Sequence, residues 1–265
     1  MKTNLKGQVA VVTGGGSGIG RGVAEELAKR GCQVGLIDIM PQEDARSALE
    51  AIVRHGAQVV YEHVDVRNRA AVNTAAERIR TRLGPVSIVV SNAITSQRHD
   101  FLHTSFDELQ QAVEVGIYGA FHVLQAFTRQ MIEAQVSGSI IQMTSPWAYL
   151  PYAGGMDYRV VKSAQENMAL SLATELMRVG IRVNVVEPGW VNTSGEQRWY
   201  TQDEMAQAGR HMPLGRLCTV EDIGRAVAYL CEEPYITGTH LKIDGGLSLA
   251  YFEASGGPGT KGGSA

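Results

Sequence analysis

The sequence predicts one α/β domain built on a doubly wound parallel sheet of about seven strands. Three observations predict it. Short β-branched runs alternate with longer helical stretches along the 265 residues, which is the pattern of right-handed βαβ units with helices on both faces of a sheet. A glycine-rich turn, Thr13-Gly14-Gly15-Gly16-Ser17-Gly18-Ile19-Gly20, separates the first such run from the first helical stretch. No linker or repeat divides the chain, and its 44% apolar share is ample for a single core.

The elements follow in order. Residues 9–13 are a continuous apolar run, as expected of a strand buried on both faces. A helix over 18–30 is closed by Gly31. A second strand covers 33–38, and a helix over 47–55 ends before Gly56. A third strand at 58–63 leads to a helix over 68–83 with Asn68 as its N-cap. A fourth strand spans 86–90, and one long helix is expected over 106–135. The fifth strand is 139–144, followed by a helix over 156–179 and a sixth strand at 181–186. The segment 190–212 reads as long and irregular, a seventh strand falls at 240–243, and the main domain ends near 250. The small, polar stretch in 251–265 offers little to bury and reads as a flexible tail.

Bulk properties exclude several classes. Net charge is −3 with acids and bases dispersed, so no basic block grips nucleic acid. No apolar run is long enough to span a membrane, and the first residues lack a signal-peptide core, which points to a cytoplasmic protein. Cys32, Cys218 and Cys231 are odd in number and widely spaced, so neither disulfide nor zinc site is expected. Of seven histidines only His99 and His103 sit four apart, with no completing carboxylate motif, and no metal is expected.

The turn carries the first chemical signal. Glycines let the backbone bend sharply and let a diphosphate approach, while the free N–H groups of the next helix favour the anion. Between the first strand and helix of a doubly wound pattern, this marks a Rossmann-like nucleotide site, with Gly14, Ser17, Gly18, Ile19 and Gly20 as contacts. Asp38 ends the second strand, where a carboxylate accepts hydrogen bonds from the ribose hydroxyls of NAD and repels the 2′-phosphate of NADP. Asp65 and Val66, after the third strand, are weaker adenine-side candidates.

Tyr158 and Lys162 lie four residues apart, on one helix face. An ammonium near a phenol is expected to lower the phenol pKa, which suits proton exchange with an alcohol or carbonyl oxygen. Ser145, thirteen residues before Tyr158, offers a hydroxyl to hold the same oxygen.

These residues occur in order with Asn92-Ala93 after the fourth strand, Pro188-Gly189 after the sixth, Ile236-Thr237-Gly238 and Asp244-Gly245-Gly246. Jointly, over about 5–250, they resemble the short-chain dehydrogenase/reductase family. The resemblance implies hydride transfer at nicotinamide, with Tyr158 as general acid/base and Lys162 also binding the nicotinamide ribose. It implies that Asn92 and Ala93 line the cofactor near its adenosine ribose, and that Pro188, Gly189, Val191 and Thr193 face its carboxamide end. It also implies a mobile lid near 190–212 and a homo-oligomer, tetramer or dimer.

Two positions depart from the family pattern. Ile94 stands where N-A-G has glycine, and Gly116 stands where the helix segment V-N-x-x-G-x-F has its catalytic asparagine. That asparagine supports a water-linked proton path to the lysine, so with glycine there a backbone group and a water would have to serve. A slower site is expected.

Trp147, Tyr152, Trp190 and Trp199 are expected to wall the substrate pocket, with Glu196, Gln197 and Arg198 near the substrate hydroxyls. Such a wall suits a sugar, polyol or cyclic alcohol, and equally a small ketone or a steroid. Three readings compete: an NAD-dependent dehydrogenase acting on a secondary alcohol or ketone, a 3-oxoacyl-type or other small-ketone reductase, and a non-catalytic nucleotide-binding protein. Asp38 disfavours the second, and the Ser145, Tyr158 and Lys162 set disfavours the third.

Overall fold

The computed structural model describes residues 3–254. Among them, one sheet carries seven strands in the order β3-β2-β1-β4-β5-β6-β7. These are β1 (Val9–Thr13), β2 (Gln33–Asp38), β3 (Val59–His63), β4 (Val86–Ser91), β5 (Gly138–Met143), β6 (Ile181–Pro188) and β7 (His240–Ile243). Every pairing is parallel. The order reverses between β1 and β4, so a crevice opens beyond the carboxyl ends of those strands.

Each face of the sheet has its own core. On one side Ala10 and Val12 pack with Val23 and Leu27 of α1 (Gly18–Lys29) and with Val227 and Leu230 of α8 (Val220–Glu232). On the other, Val9 and Val11 pack with Ile79 of α3 (Arg69–Leu83), Phe127 of α5 (Ala120–Glu133) and Ala169 of α6 (Met156–Leu176). Alternate residues of β1 thus enter different cores, which is why the strand reads as an unbroken apolar run. Helices α1 and α8 approach closely at glycines. A Cβ at Gly22 would come within 2.5 Å of Val220 Cβ, and one at Gly224 within 2.9 Å of Glu26 Cβ.

Four expectations need correction. The helix expected over 106–135 is three pieces: α4 (Phe106–Val113), a wide π turn (Glu114–Gly119) and α5. The turn is pressed between neighbours, because a Cβ at Gly116 would lie 2.2 Å from Val161 Cγ1 and one at Gly119 2.5 Å from Val66 Cγ2. The segment 190–212 is not wholly irregular: Glu196–Arg198 forms a 3-10 turn and α7 (Gln202–Arg210) starts in a Thr201/Glu204 capping box. Helix α8 was not expected, although Thr219 and Asp222 form a second such box. Finally, α9 (Leu247–Ala254) occupies the first part of the expected tail, and 255–265 lie outside the described residues. Helix α2 (Arg46–Arg54) falls close to where it was expected. No helix of the described residues is long and apolar enough to cross a membrane. The three cysteines are free, with Cys32 and Cys231 buried.

Candidate active site

The glycine turn is locked from β4. Thr13 Oγ1 accepts the N–H groups of Asn92 (2.9 Å) and Ala93 (3.1 Å), and Asn92 Nδ2 donates to Thr13 O (2.9 Å) and Gly14 O (3.4 Å). The Asn92 amide is therefore a strut under the turn. Gly14 and Gly18 adopt positive φ, 64° and 51°. A Cβ at Gly20 would sit 2.0 Å from Gly14 O, so α1 starts directly against the turn. Ser17 caps α1 with an exposed hydroxyl that makes no capping bond, and the first turn of the helix carries no acid. Ile19 is half-buried.

Asp38 reaches back to this turn. Its Oδ2 accepts Gly16 N–H at 2.8 Å and its Oδ1 accepts Met40 N–H at 3.0 Å. Each carboxylate oxygen keeps a second lone pair. Gly18 faces Thr193 across the cleft, with a Cβ at Gly18 3.6 Å from Thr193 Cβ. Gly189 N–H donates to Ile243 O at 3.0 Å, and Val191 bridges to Cys218, so Pro188 to Thr193 leave the sheet beside the turn. Asp65 is gripped by Arg67 through Nε (2.8 Å), Nη2 (2.6 Å) and the backbone N–H (2.9 Å). The Arg67 side-chain hydrogen bonds hold that carboxyl below the usual range. Val66 is buried, and its carbonyl accepts from His122 Nδ1 at 3.0 Å. A glycine cradle, a helix N-terminus without acids and a carboxylate with free lone pairs fit a dinucleotide.

Ser145, Tyr158 and Lys162 converge beyond the ends of β5 and β6. Ser145 Oγ lies 3.3 Å from Pro188 O, accepts Trp147 N–H at 3.4 Å, and stands near enough to the Tyr158 phenol to act on its acidity. Lys162 is 3% exposed, and its Nζ donates to Met143 O (2.8 Å) and Gln165 Oε1 (3.1 Å). Its Nζ sits 5.6 Å from the Tyr158 ring centroid. The expected tuning of the phenol is reversed here. Burial pushes Tyr158 up to about 12, against a lowering hydrogen bond from Ser145. Burial also lowers Lys162 to about 7. The ammonium is engaged by Met143 and Gln165 and not by the phenol oxygen, so desolvation wins at both groups.

The expected aromatic wall divides into two parts. Trp147 packs on Tyr152 (4.9 Å between centroids) and on Tyr251 of α9 (5.8 Å). The Tyr152 hydroxyl rests on Gly155, where a Cβ would fall 2.0 Å away. Trp190 donates to Glu196 Oε2 at 3.0 Å and packs on Tyr200 at 5.2 Å. Trp199 is 42% exposed. Arg98, from the loop after β4, clasps this segment by pairing with Glu196 at 2.6 Å and lying over the Trp199 and Tyr200 rings. A cavity of about 250 Å³ is lined by Trp190, Met212, Leu214, Ile243 and Asp244. His99 and His103 pair with Glu108 (3.1 Å) and Asp100 (2.7 Å). Glu166, Glu187 and His240 also gather, and the Tyr149 hydroxyl donates to Glu187 at 2.8 Å.

The model for the family described as Enoyl-(Acyl carrier protein) reductase matches residues 14–248. This chain is a short-chain dehydrogenase/reductase. The family is one of oxidoreductases that bind a nicotinamide cofactor. The chain is 33% identical over 245 residues, 92% of its length and 96% of the relative's, to the uncharacterized oxidoreductase YohF of Escherichia coli strain K12. It is 32% identical over 248 residues, 93% of its length and 99% of the relative's, to 3-oxoacyl-(acyl-carrier-protein) reductase FabG of the same strain. Among solved structures, carveol dehydrogenase from Mycobacterium avium in complex with NAD superposes with a TM-score of 0.87 at 25% identity, covering 93% of this chain and 99% of that one.

Relative to the family pattern, Ile94 and Gly116 meet in space. Ile94 Cδ1 lies 3.0 Å from where a Cβ at 116 would be. An asparagine at 116 therefore requires both Val161 and Ile94 to move. Two residues of the site escaped the sequence reading. Gln165 carried a usable signal, an amide three residues after Lys162 and so on the same helix face. Arg98 carried none, because its role depends on where an irregular loop folds.

Proposed function

We propose that this short-chain dehydrogenase/reductase moves a hydride between NAD and a secondary alcohol or ketone, acting on a small sugar, polyol or cyclic alcohol. The observation that carries the reading is the convergence of Ser145, Tyr158 and Lys162 beside the glycine turn. NAD, when bound, supplies the hydride acceptor at its nicotinamide ring. Gly14, Ser17, Gly18, Ile19 and Gly20 would hold its diphosphate, and Asp38 the adenosine ribose. Asp65, Val66, Asn92 and Ala93 would flank the adenosine half. Pro188, Gly189, Val191, Thr193 and Lys162 would hold the nicotinamide half.

Tyr158 exchanges a proton with the substrate oxygen, and Ser145 hydrogen-bonds that same oxygen. With its phenol held near 12, Tyr158 stands protonated at neutral pH, the state that delivers a proton to a forming alkoxide. Oxidation of an alcohol requires Lys162 to stabilise the phenolate. Asp38 supports NAD over NADP, because its carboxylate is already oriented by Gly16 and Met40 and would oppose a 2′-phosphate. Trp147, Tyr152, Trp190 and Trp199 supply the substrate walls, under the Arg98–Glu196 clasp.

The test is a screen of cyclohexanol, carveol, sorbitol and glucose with NAD and NADP, and of acetoacetyl thioesters with NADH and NADPH. Turnover of an alcohol with NAD, at least about tenfold faster than with NADP and lost in Tyr158→Phe, is the expected outcome. Turnover confined to acetoacetyl thioesters favours the 3-oxoacyl reading that the name of the FabG relative raises. Tyr158→Phe with unchanged turnover would overturn the assignment.

A further inference from the structure

The lysine pocket contains a side-chain amide that no part of the mechanism above uses. Gln165 is 1% exposed. Its Oε1 accepts from Lys162 Nζ at 3.1 Å, and its Nε2 donates to the carbonyl of Gly116 at 2.8 Å. The opposite amide orientation would set donor against donor at Nζ and acceptor against acceptor at Gly116, so both ends fix the same orientation. The Gly116 carbonyl belongs to the π turn, and π bulges commonly present backbone groups at functional sites. Met143 O takes a second hydrogen bond from Nζ. Two of the three N–H directions of the ammonium are thereby set by fixed acceptors, and one remains for exchange.

We propose that Gln165 is a positioning residue of the proton relay, tying Lys162 to the backbone of the π turn and so replacing the amide that Gly116 lacks. The proposal rests on the reading of Tyr158 and Lys162 as the proton-transfer pair. It accounts for four positions at once. Ile94 and Val161 occupy the space that a side chain at 116 would enter, Gly116 yields that space, and Gln165 brings an amide to the same carbonyl from the neighbouring helix. The surroundings leave little else to hold the ammonium. On elements packed against α6, Glu108, Glu114 and Glu187 turn to His99, Arg67 and His240. Tyr158 is the titratable group that faces Nζ. Desolvation is the cause acting on Lys162, with no carboxylate opposing it.

The experiment compares wild type, Gln165→Leu, Gln165→Glu and Tyr158→Phe. Lys162 is titrated by NMR of carbon-13-labelled lysine in the cofactor-free protein, and turnover is followed against pH with NAD and the fastest alcohol of the screen. Gln165→Leu removes an acceptor from the ammonium, so the Lys162 midpoint should fall, and kcat should drop about tenfold while KM for NAD changes little. Gln165→Glu keeps the size and supplies a negative charge, so the midpoint should rise by about one unit or more. The reaction needs the ammonium, which is lost as pH rises through the lysine midpoint, so that shift should carry the upper limb of the pH–rate profile with it. If Gln165→Leu fails to fold, Gln165→Met, which keeps the length and removes both hydrogen bonds, takes its place with the same expected outcome. A folded variant whose Lys162 midpoint and kcat match wild type overturns the role of Gln165. If Tyr158→Phe retains turnover, the catalytic assignment fails instead, and the NMR titration still reports whether Gln165 holds the lysine.

Discussion

The glycine turn and the lysine pocket are both polar constructions at the carboxyl edge of one sheet, and they are built in opposite ways. At the turn, the contacts end on backbone atoms of the turn itself, held by two short side chains from elsewhere in the chain: Gly16 N–H donates to Asp38, and Thr13 O and Gly14 O accept from Asn92. The lysine pocket draws on β5, the π turn and α6, and its contacts run through two long side chains. A backbone-built site excludes a Cβ outright, since no neighbour can yield to it. A side-chain-built site can obtain the same polar group from a different element, which is what Gln165 does opposite Gly116.

Lys162→Met gives the largest expected effect and sharpens the contrast. It removes a buried charge while keeping the volume, so turnover should fall by about 100-fold or more. The cofactor-free protein should nonetheless become more stable. The folded-state pKa of about 7 lies below the ordinary 10.5, so the unfolded chain binds this proton first as pH falls. Wild type therefore loses stability between those two values, by an amount on the order of a few kcal/mol, and the loss is complete below about 7. The variant has no such slope. Its Tm advantage should widen as pH drops through that window, and a variant less stable than wild type at neutral pH would break the comparison.

Gly20→Ala should show the opposite coupling. The added Cβ meets Gly14 O at 2.0 Å and the turn must shift. Stability should fall by about 1–3 kcal/mol and NADH binding should weaken together with it. Thermal unfolding and a fluorescence titration with NADH check both. Weakened binding with full stability would mean that the turn is less rigid than its contacts imply.

Arg98→Ala should have the smallest effect. Its pair with Glu196 is partly exposed, 35% and 22%, and such pairs contribute about 0–1 kcal/mol. Tm should hardly move, while KM for the alcohol should rise a few-fold with kcat near wild type. A large loss of stability would show that the clasp holds the fold and not only the substrate cover.

Much of this molecule was legible in the chain because its signals are local. Strands β1 and β2 fall on the expected residues, since short apolar, β-branched runs bounded by polar or glycine residues leave few alternatives. Helix α8 was missed although its start was written as Thr219 and Asp222, a box whose meaning depends on noticing the three-residue spacing. The break at Glu114–Gly119 was not legible. Nothing in that stretch forbids a continuous α-helix, and the wide turn arises where the helix meets Val161 and Val66. The acidity of Tyr158 was read with the wrong sign for the same kind of reason. Spacing on a helix places two side chains near each other, but burial and competing acceptors set what each one does to the other.

The sequence by itself determined the parallel sheet, the glycine turn with its anion-seeking helix start, the carboxylate at the end of β2, and the family. The first three depend on residues a few positions apart, where covalent geometry leaves little freedom, and the family on the order of such motifs along the chain. Only the tertiary structure decided which way the Lys162 ammonium points, that Arg98 covers the aromatic segment, and that Gln165 meets Gly116. Arg98 meets Glu196 98 positions away, Gln165 meets Gly116 49 away and Lys162 meets Met143 19 away, and only the packing of helices on the sheet brings such groups within hydrogen-bonding range.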